Sequence, residues 1–156
     1  MTERSASHTS FVIERDFPAP PSHVFFAWSD VEAKLSWSDC HTDARDSEFS
    51  MDFRHGGHEH YRVRLPDGMT LSVEKVFFDI VPDQRIIFGY DLVIGEKRLS
   101  ASLVTVSFEP SRKGTHMTYT EQLALLDGFT DVEERIEGTN EGFDRLELLL
   151  RDAVRA

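Results

Sequence analysis

The chain has 156 residues, of which 40 % are hydrophobic and 29 % are charged, a composition typical of one globular domain with its own core. Its formal net charge of −11 argues against nucleic acid or an anionic membrane surface as a partner. The single cysteine, Cys40, excludes an internal disulfide. The chain shows neither a signal-peptide pattern nor an apolar run that reaches the roughly 18 residues of a membrane span. We therefore expect a cytoplasmic protein.

The N-terminal part of the chain predicts a tail, one strand and two short helices. Residues 1–9 are polar and predict a flexible tail, which leaves residues 10–156 as a single domain. Phe11, Ile13 and Phe17 fall on one face of a strand, and the prolines that follow residue 17 end it. Residues 21–37 then predict two short helices with a break near Asp30.

Six further stretches in the middle of the chain have the pattern of strands. They cover about residues 49–53, 60–65, 70–80, 85–94, 99–108 and 115–125. Short turns separate them, and Gly56-Gly57 has the sequence of a two-residue hairpin turn. Strands that are linked in this way form an antiparallel meander. The first strand, which the helices separate from the second, can pair at the far edge of that sheet.

The end of the chain predicts one long helix of about 24 residues. Asp131 and Glu134 have the spacing of a capping box, and apolar residues at positions 132, 136, 143, 146, 150 and 154 form one stripe. Such a stripe must be buried, and the sheet is the large partner available. The predicted fold is therefore α+β, with a seven-stranded antiparallel sheet wrapped around the long C-terminal helix and the two short helices between strands one and two. A cavity between sheet and helix follows from this arrangement.

Gly138 and Gly142 lie four residues apart inside this helix, where each glycine costs about 1 kcal/mol relative to alanine. One interpretation is a kink or a break near Gly138. The other is a close approach, in which the bare helix surface admits a strand or a ligand. In either case, the helix face that carries Gly138, Gly142 and Phe143 is the candidate mouth of a pocket.

Four groups of residues, in this order along the chain, resemble one protein family. They are FPAP with VFFAW (17–20, 24–28), DFRHGG (52–57), IVPDQRI (80–86), and GT, YTEQ, LDG and EGT (114–115, 119–122, 126–128, 137–139). The set resembles the START-like (SRPBCC, helix-grip) superfamily, and within it the bacterial proteins grouped with the C-terminal domain of the activator of the heat-shock-protein-90 ATPase. The resemblance covers residues 11–155 and implies the helix-grip fold. It also implies a cavity that takes varied hydrophobic ligands, as in the polyketide cyclases and lipid-transfer domains of the superfamily.

Residues on the apolar faces of strands and helices are the candidate walls of this cavity. The ligand-binding candidates are Trp37, Phe53, Phe78, Phe88, Tyr90, Tyr119, Glu121, Gly138, Gly142 and Phe143. The alternative is that each aromatic residue is an ordinary part of the core. Glu121 shares a strand face with apolar residues, and a buried acid there needs a partner such as Arg54, Arg98 or a ligand. Asp52 and Arg54 share another strand face and can also pair with each other.

Two further patterns in the sequence resemble sites of chemistry. His55, His58 and His60 have a spacing that resembles a metal motif, but a hairpin separates them and the spacing fixes no fourth ligand. Cys40 and His41 combine a nucleophile with a base, yet adjacent residues in a loop rarely face each other. The sequence therefore predicts no metal, no cofactor and no catalytic constellation.

The favoured hypothesis is a protein that binds a small hydrophobic or aromatic ligand in the cavity, with apolar walls and one or two orienting polar groups. The alternative is a cyclase- or hydrolase-like enzyme in the same cavity, with Glu121 or a histidine as the acid or base. A third hypothesis is a chaperone-interaction module, which an exposed apolar patch on the sheet would indicate. A homodimer is a further possible assembly that no particular residue favours.

Overall fold

The computed structural model describes residues 4–38 and 45–155, which form one seven-stranded antiparallel sheet and three helices. In chain order the elements are β1 (Ala6–Phe17), α1 (Pro21–Ser29), α2 (Val31–Ser38), β2 (Arg45–Met51), β3 (His58–Arg64), β4 (Thr70–Val81), β5 (Arg85–Ile94), β6 (Lys97–Ser111), β7 (Gly114–Leu126) and α3 (Val132–Arg155). The strand order across the sheet is β1-β7-β6-β5-β4-β3-β2. The predicted α+β architecture is therefore confirmed. No helix in the described part of the chain is long and apolar enough to cross a membrane.

Strand β1 pairs with β7 at the edge of the sheet far from β2, as predicted. It begins earlier than expected, because residues 6–9 pair with residues 123–126 of β7, and the prediction of a flexible tail was wrong for these four residues. The amide of Ser5 also donates to Oδ1 of Asp127 at 3.0 Å. The side chains of residues 6–9 are exposed. Their pairing rests on backbone hydrogen bonds, so the sequence shows no apolar alternation there.

Asp30 separates the two short helices. Its backbone is extended, with φ −87° and ψ 132°, and its amide donates to the carbonyl oxygen of Phe26 at 2.9 Å to close α1. Its carboxylate accepts a hydrogen bond from the amide of Ala33 at 3.1 Å and so caps α2. Pro21 occupies the first turn of α1, where its missing N–H leaves no bond unmade. The predicted break at Asp30 is thus the cap of the second helix.

Helix α3 is continuous over 24 residues, so there is no break near Gly138. Its start is capped as predicted, because the amide of Glu134 donates to Oδ1 of Asp131 at 3.1 Å. Gly142 is buried, and a Cβ atom there would lie 3.8 Å from the carbonyl oxygen of Trp37. A Cβ atom at Gly138 would meet nothing within 4 Å. The two glycines therefore differ: Gly142 lets α2 approach, and Gly138 faces open space.

The core between the inner face of the sheet and the helices is rich in aromatic rings. The ring centroid of Trp28 lies 4.8 Å from that of Trp37 and 6.1 Å from that of Phe143. Tyr119 of β7 lies 5.3 Å from Phe143. Nε1 of Trp37 donates to the carbonyl oxygen of Ala27 at 2.9 Å, which satisfies its polar edge inside the core. These contacts hold all three helices against β7.

The connection between β2 and β3 is longer than the predicted two-residue turn, since β2 ends at Met51 and β3 begins at His58. Gly56 and Gly57 pair with β4 instead. The amide of Gly56 donates to the carbonyl oxygen of Phe77 at 2.7 Å, and the amide of Phe77 donates to that of Gly57 at 2.9 Å. Gly56 also lies in a turn, with φ +79°, which the amide of Gly57 closes by donating to the carbonyl oxygen of Arg54 at 2.8 Å. The two glycines thus permit both a turn and the close approach to β4.

Candidate ligand-binding cleft

A cleft of about 660 Å³ lies between the inner face of the sheet and helices α2 and α3, which is a usual size for a small-molecule site. Nine aromatic side chains line it, namely Trp28, Trp37, Phe49, Tyr61, Phe88, Tyr90, Tyr119, Phe129 and Phe143. Aliphatic side chains of β4, β5 and β6 continue the wall, namely Leu71, Val73, Leu92, Ile94 and Leu99. A second hollow of about 640 Å³ lies on the outer face over β1, β6 and β7, and its described wall has no buried charged side chain. The buried charges therefore concentrate at the inner cleft.

Three charged side chains are buried together in the wall of this cleft. Nζ of Lys34 on α2 lies 2.9 Å from Oε1 of Glu59 on β3, and Nζ of Lys75 on β4 lies 2.9 Å from Oε2 of the same carboxylate. Glu59 and Lys75 are direct neighbours across the β3–β4 ladder. The side chains of Lys34, Glu59 and Lys75 are 2 %, 3 % and 16 % exposed. This triad thus has two ammonium groups on one carboxylate.

Aromatic rings surround the two ammonium groups of the triad. Nζ of Lys34 lies 4.9 Å from the ring centroid of Trp28, and Nζ of Lys75 lies 4.7 Å from that of Phe88, within the range of cation–π attraction. Burial lowers the pKa of Lys34 to about 8, although the charge of Glu59 opposes this. Burial raises the pKa of Glu59, but the two lysines lower it more strongly, to about 2. The carboxylate is therefore ionised at neutral pH.

A second polar cluster lies beneath the cleft around Glu121 of β7, whose side chain is fully buried. The hydroxyl of Tyr119 donates to Oε1 at 2.8 Å, and the hydroxyls of Tyr90 and Ser102 donate to Oε2 at 2.7 and 2.8 Å. Nη1 of Arg135 also donates to Oε2, at 3.1 Å. Four donors thus satisfy one carboxylate, which can stay charged without water.

Arg135 connects α3 to this cluster. Its Nη1 donates to the hydroxyl of Tyr90 at 3.1 Å, and its Nη2 donates to the hydroxyl of Ser100 at 2.7 Å. Burial raises the pKa of Tyr90 and of Tyr119, and the charge of Glu121 raises both further. Both phenols therefore stay protonated and keep donating to the carboxylate. The first turns of α3 are in this way fixed to the middle of the sheet.

Seven of the ten candidates named from the sequence lie in the wall of the cleft, namely Trp37, Phe88, Tyr90, Tyr119, Gly138, Gly142 and Phe143. Glu121 lies directly beneath the cleft. Its cationic partner is Arg135 and not Arg54, which pairs with Asp52 at 2.7 Å as the alternative had it. Arg98 is not the partner of Glu121 either, because it pairs with Asp91 at 3.0 Å.

Phe53 and Phe78 do not line the cleft. Phe53 packs against Phe25 and Phe77 in another part of the core, at centroid distances of 5.7 and 5.0 Å. Phe78 is 51 % exposed on the outer face of the sheet. Phe77 takes the inward position, and the register between β4 and β5 shifts between Phe77 and Asp79, so that Phe78 is the extra residue of a bulge.

Sequence reasoning misses four charged residues of the site, and three of them carry a detectable signal. Glu59 and Lys75 alternate with apolar residues on the inward faces of their strands, which is the pattern that identifies Glu121. Arg135 lies on the same helix face as the two glycines. Lys34 carries no such signal, because a lysine in a short helix is usually exposed.

The histidines and the cysteine do not contribute to the described wall of the cleft. His58 and His60 lie on the outer face of β3, where His60 contacts the carboxylate of Glu74 on β4. Cys40 and His41 lie outside the described residues. Within residues 4–38 and 45–155, no group of three His, Cys, Asp or Glu side chains is placed to hold a metal ion.

A family model described as activator of Hsp90 ATPase homolog 1-like protein matches residues 18–151. The solved structure of an uncharacterized protein from Rhizobium leguminosarum is 46 % identical, covers 97 % of this chain and 99 % of its own, and has a TM-score of 0.92. The protein Mll3558 from Rhizobium loti is 42 % identical, with coverage of 92 % and 98 % and a TM-score of 0.85. The protein SA2116 of unknown function from Staphylococcus aureus, at 18 % identity, shares the fold with a TM-score of 0.72 over 97 % and 98 % of the two chains. No curated protein matches the chain.

Proposed function

The chain belongs to the family of activator of Hsp90 ATPase homolog 1-like proteins, and we propose that it binds a small apolar or aromatic molecule in the inner cleft. The observation that carries the proposal is a cleft of about 660 Å³ with nine aromatic side chains in its wall. Each square ångström of apolar ligand surface that enters it contributes about 25 cal/mol. The few polar groups of the wall then orient the ligand.

The state of Glu121 supports binding over a cyclase- or hydrolase-like reaction. Its side chain is fully buried beneath the cleft, and four donors occupy the carboxylate. A general acid or base must come within hydrogen-bond reach of the substrate. Tyr90 and Tyr119 stand between Glu121 and the cleft, so the carboxylate acts as a structural anchor in this proposal.

The test is a fluorescence titration with N-phenyl-naphthylamine, a neutral aromatic probe that brightens when it leaves water. We expect the wild-type chain to bind it. A tryptophan at the open glycine of the cleft, Gly138→Trp, places an indole in the space of the ligand. It should weaken binding by about tenfold or more, which corresponds to about 1.4 kcal/mol.

The matched control is Gly138→Ala. A Cβ atom at this position meets nothing within 4 Å, and alanine is the better helix former by about 1 kcal/mol. This variant should keep the wild-type affinity for the probe and be at least as stable. Absence of binding to the wild-type chain, or equal affinity of the tryptophan and alanine variants, would contradict the proposed site.

A second candidate function is contact with a protein partner through the outer face of the sheet. Phe78 and Leu103 are 51 % and 41 % exposed there. Gly89, the ladder partner of Leu103, lies between them, and a Cβ atom on it would be 2.7 Å from the ring of Phe78. Exposed apolar side chains that adjoin each other are typical of interaction sites, and the family description points to an Hsp90-class chaperone as the partner.

This second candidate predicts that the chain raises the ATPase rate of an Hsp90-class chaperone. The substitutions Phe78→Ser and Leu103→Ser should abolish the increase, whereas Val12→Ser, at an exposed position of the edge strand, should leave it unchanged. An ATPase rate that the wild-type chain does not alter would remove this candidate and leave the cleft proposal untouched.

A further inference from the structure

We infer that the ligand of the cleft is a small aromatic acid, bound as its anion with the acidic group beside Lys75. This inference rests on the proposed binding function and adds the chemical class of the ligand. It follows from the balance of buried charges in the wall, from the exposure of each charged group and from the rings around them.

The triad of Lys34, Glu59 and Lys75 holds one more cation than anion. Each oxygen of Glu59 is 2.9 Å from one ammonium group, so the carboxylate is shared and one positive charge stays unbalanced. A buried charge without a counter-charge is costly. Burial lowers the pKa of Lys34, and the charge of Lys75 lowers it as well, the direction expected where negative charge is lacking. An anionic ligand supplies the missing charge.

The cluster beneath the cleft has no such imbalance. Arg135 and Glu121 form a one-to-one ion pair at 3.1 Å. The hydroxyls of Tyr90 and Tyr119 donate to the same carboxylate, and Ser100 accepts from the guanidinium. The charges of this cluster therefore cancel within the protein. Of the two buried clusters, the triad is therefore the one with a cation that a ligand can neutralise.

Lys75 is the member of the triad that a ligand reaches most directly. Its side chain is 16 % exposed, against 2 % for Lys34, and an ammonium group has three N–H donors. Its Nζ lies 4.7 Å from the ring centroid of Phe88 and 5.8 Å from that of Tyr90, and both rings line the cleft. An acidic group at Lys75 thus places the body of its ligand against these rings, where aromatic pairs are favourable.

Acidic residues at the mouth of the cleft act in the opposite direction. Asp131, Glu134, Glu137 and Glu141 are exposed there, and the whole chain carries a net charge of −11. Exposed charges act through water and are screened by salt, whereas charges in a buried wall interact much more strongly. The triad therefore dominates the affinity for an anion inside the cleft. The acidic surface at the same time suppresses unspecific binding of anions elsewhere.

The test compares two probes that share one aromatic skeleton and differ by one acidic group. Anilinonaphthalenesulfonate is N-phenyl-naphthylamine with a sulfonate group added. We expect the wild-type chain to bind the anionic probe about tenfold more tightly than the neutral one, as for a hydrogen bond to a charged group. The substitution Lys75→Met should remove this preference, which is measured as the ratio of the two affinities, so that a change in the apolar wall that affects both probes alike cancels.

The variants of Lys75 are chosen so that the fold persists. Without Lys75, Glu59 keeps Lys34 as a partner in a one-to-one pair, so Lys75→Met leaves no unpaired charge in the wall. The matched control, Lys75→Arg, keeps the charge and should keep the preference for the anion. If the variants do not fold, a displacement experiment on the wild-type chain alone tests the preference for an anion. Naphthoate should displace N-phenyl-naphthylamine at about tenfold lower concentration than the neutral naphthalenemethanol.

The outcomes separate this inference from the binding proposal. If the neutral probe binds and Gly138→Trp blocks it, the binding function stands. Equal affinity of the two probes, or a preference that survives Lys75→Met, then overturns the anionic class. If the neutral probe does not bind the wild-type chain, the binding proposal itself fails.

Discussion

Arg135 on α3 and Glu121 on β7 form an ion pair with 3.1 Å between Nη1 and Oε2, in which the guanidinium is 11 % exposed and the carboxylate is fully buried. The pair joins the first turns of the long helix to the centre of the sheet, while Phe143 and Leu146 pack the following turns into the core. The helix is thus held at two places, by charge near its start and by apolar contacts further along. The cleft lies beside these two contacts.

The substitution Glu121→Gln should destabilise the chain by about 3 kcal/mol, because it leaves a buried guanidinium without its counter-charge. Urea denaturation, extrapolated linearly to water, measures the free energy of unfolding. The control is Arg98→Gln, which breaks an exposed pair with Asp91 and should cost less than about 1 kcal/mol. If Glu121→Gln costs no more than the control, the pair does not anchor α3.

Glu59 should make the chain sensitive to acid. Burial raises the pKa of this carboxyl, but Lys34 and Lys75 lower it more, from 4.5 to about 2. Between these values the unfolded chain binds a proton that the folded chain does not. The stability due to Glu59 is therefore complete above about pH 4.5 and is lost as the pH falls toward about 2.

The measurement for Glu59 compares unfolding free energies of the wild-type chain and the Glu59→Gln variant at about pH 7 and about pH 3. The advantage of the wild-type chain should shrink in acid by something on the order of 2 kcal/mol. The comparison with glutamine cancels the titration of the exposed carboxyl groups. A difference between the two chains that is the same at both pH values would contradict the lowered pKa.

Two adjacent glycines should respond differently to alanine. A Cβ atom at Gly57 would lie 2.0 Å from the carbonyl oxygen of Asp52, so Gly57→Ala forces the backbone apart and should cost about 2 kcal/mol or more. Gly56 has φ +79° but open space around it, so Gly56→Ala costs only the strain of that conformation, about 1 kcal/mol. Thermal unfolding of both variants tests the order, and the reverse order would refute this account.

His116 should stay protonated to a higher pH than an ordinary histidine, because its pKa is raised. Its Nδ1 lies 2.9 Å from Asp16 and its Nε2 lies 3.2 Å from Glu14. The hydrogen bond with Asp16, followed by that with Glu14, raises the pKa of the imidazole above 6.5. Its contribution to stability is therefore present below pH 6.5 and is lost as the pH rises through the raised pKa. The effect is small, because these groups are largely exposed.

An NMR titration of the His116 ring checks this pKa directly. Asp16→Asn should return the value toward 6.5, and Glu14→Gln should lower it less, since Asp16 makes the stronger contribution. A midpoint at or below 6.5 in the wild-type chain would show that the carboxylates do not hold the proton.

Much of the fold can be predicted from the sequence, because the signals for its strands, turns and helix caps are local. Alternation places the strands, Asp131 caps α3, and short turns make the strands a meander. The polar first half of β1 cannot be predicted as a strand, since its exposed edge residues pair through their backbones alone. The sequence does not predict the outward position of Phe78 either, for a different reason. A bulge shifts the alternation of β4 by one residue, and nothing local marks that shift.

The site can be predicted only in part, because its chemistry depends on ion pairs between residues that are distant in the chain. Glu121 can be identified because it is an acid on an apolar strand face, but nothing in its strand predicts that Arg135 is its partner. The same holds for Lys34 and Glu59, which only the packing of α2 on β3 brings together. Alternation predicts which side chains are buried, whereas the partner of a buried charge is decided by tertiary structure.

The pairing of the first strand with the last also sets an order of folding. His116 and Asp16, which adjoin in this ladder, are 100 residues apart in the chain, whereas each hairpin from β2 to β7 closes over a few residues. Closing such a long loop costs about 3 kcal/mol more than closing a tight turn. The meander should therefore form first, and the N-terminal strand should dock late, with φ-values near zero for substitutions in β1 and higher values in β5 and β6. While it is undocked, β7 is an open edge that another copy of β1 can occupy, so the route to a swapped assembly lies in the last step of folding.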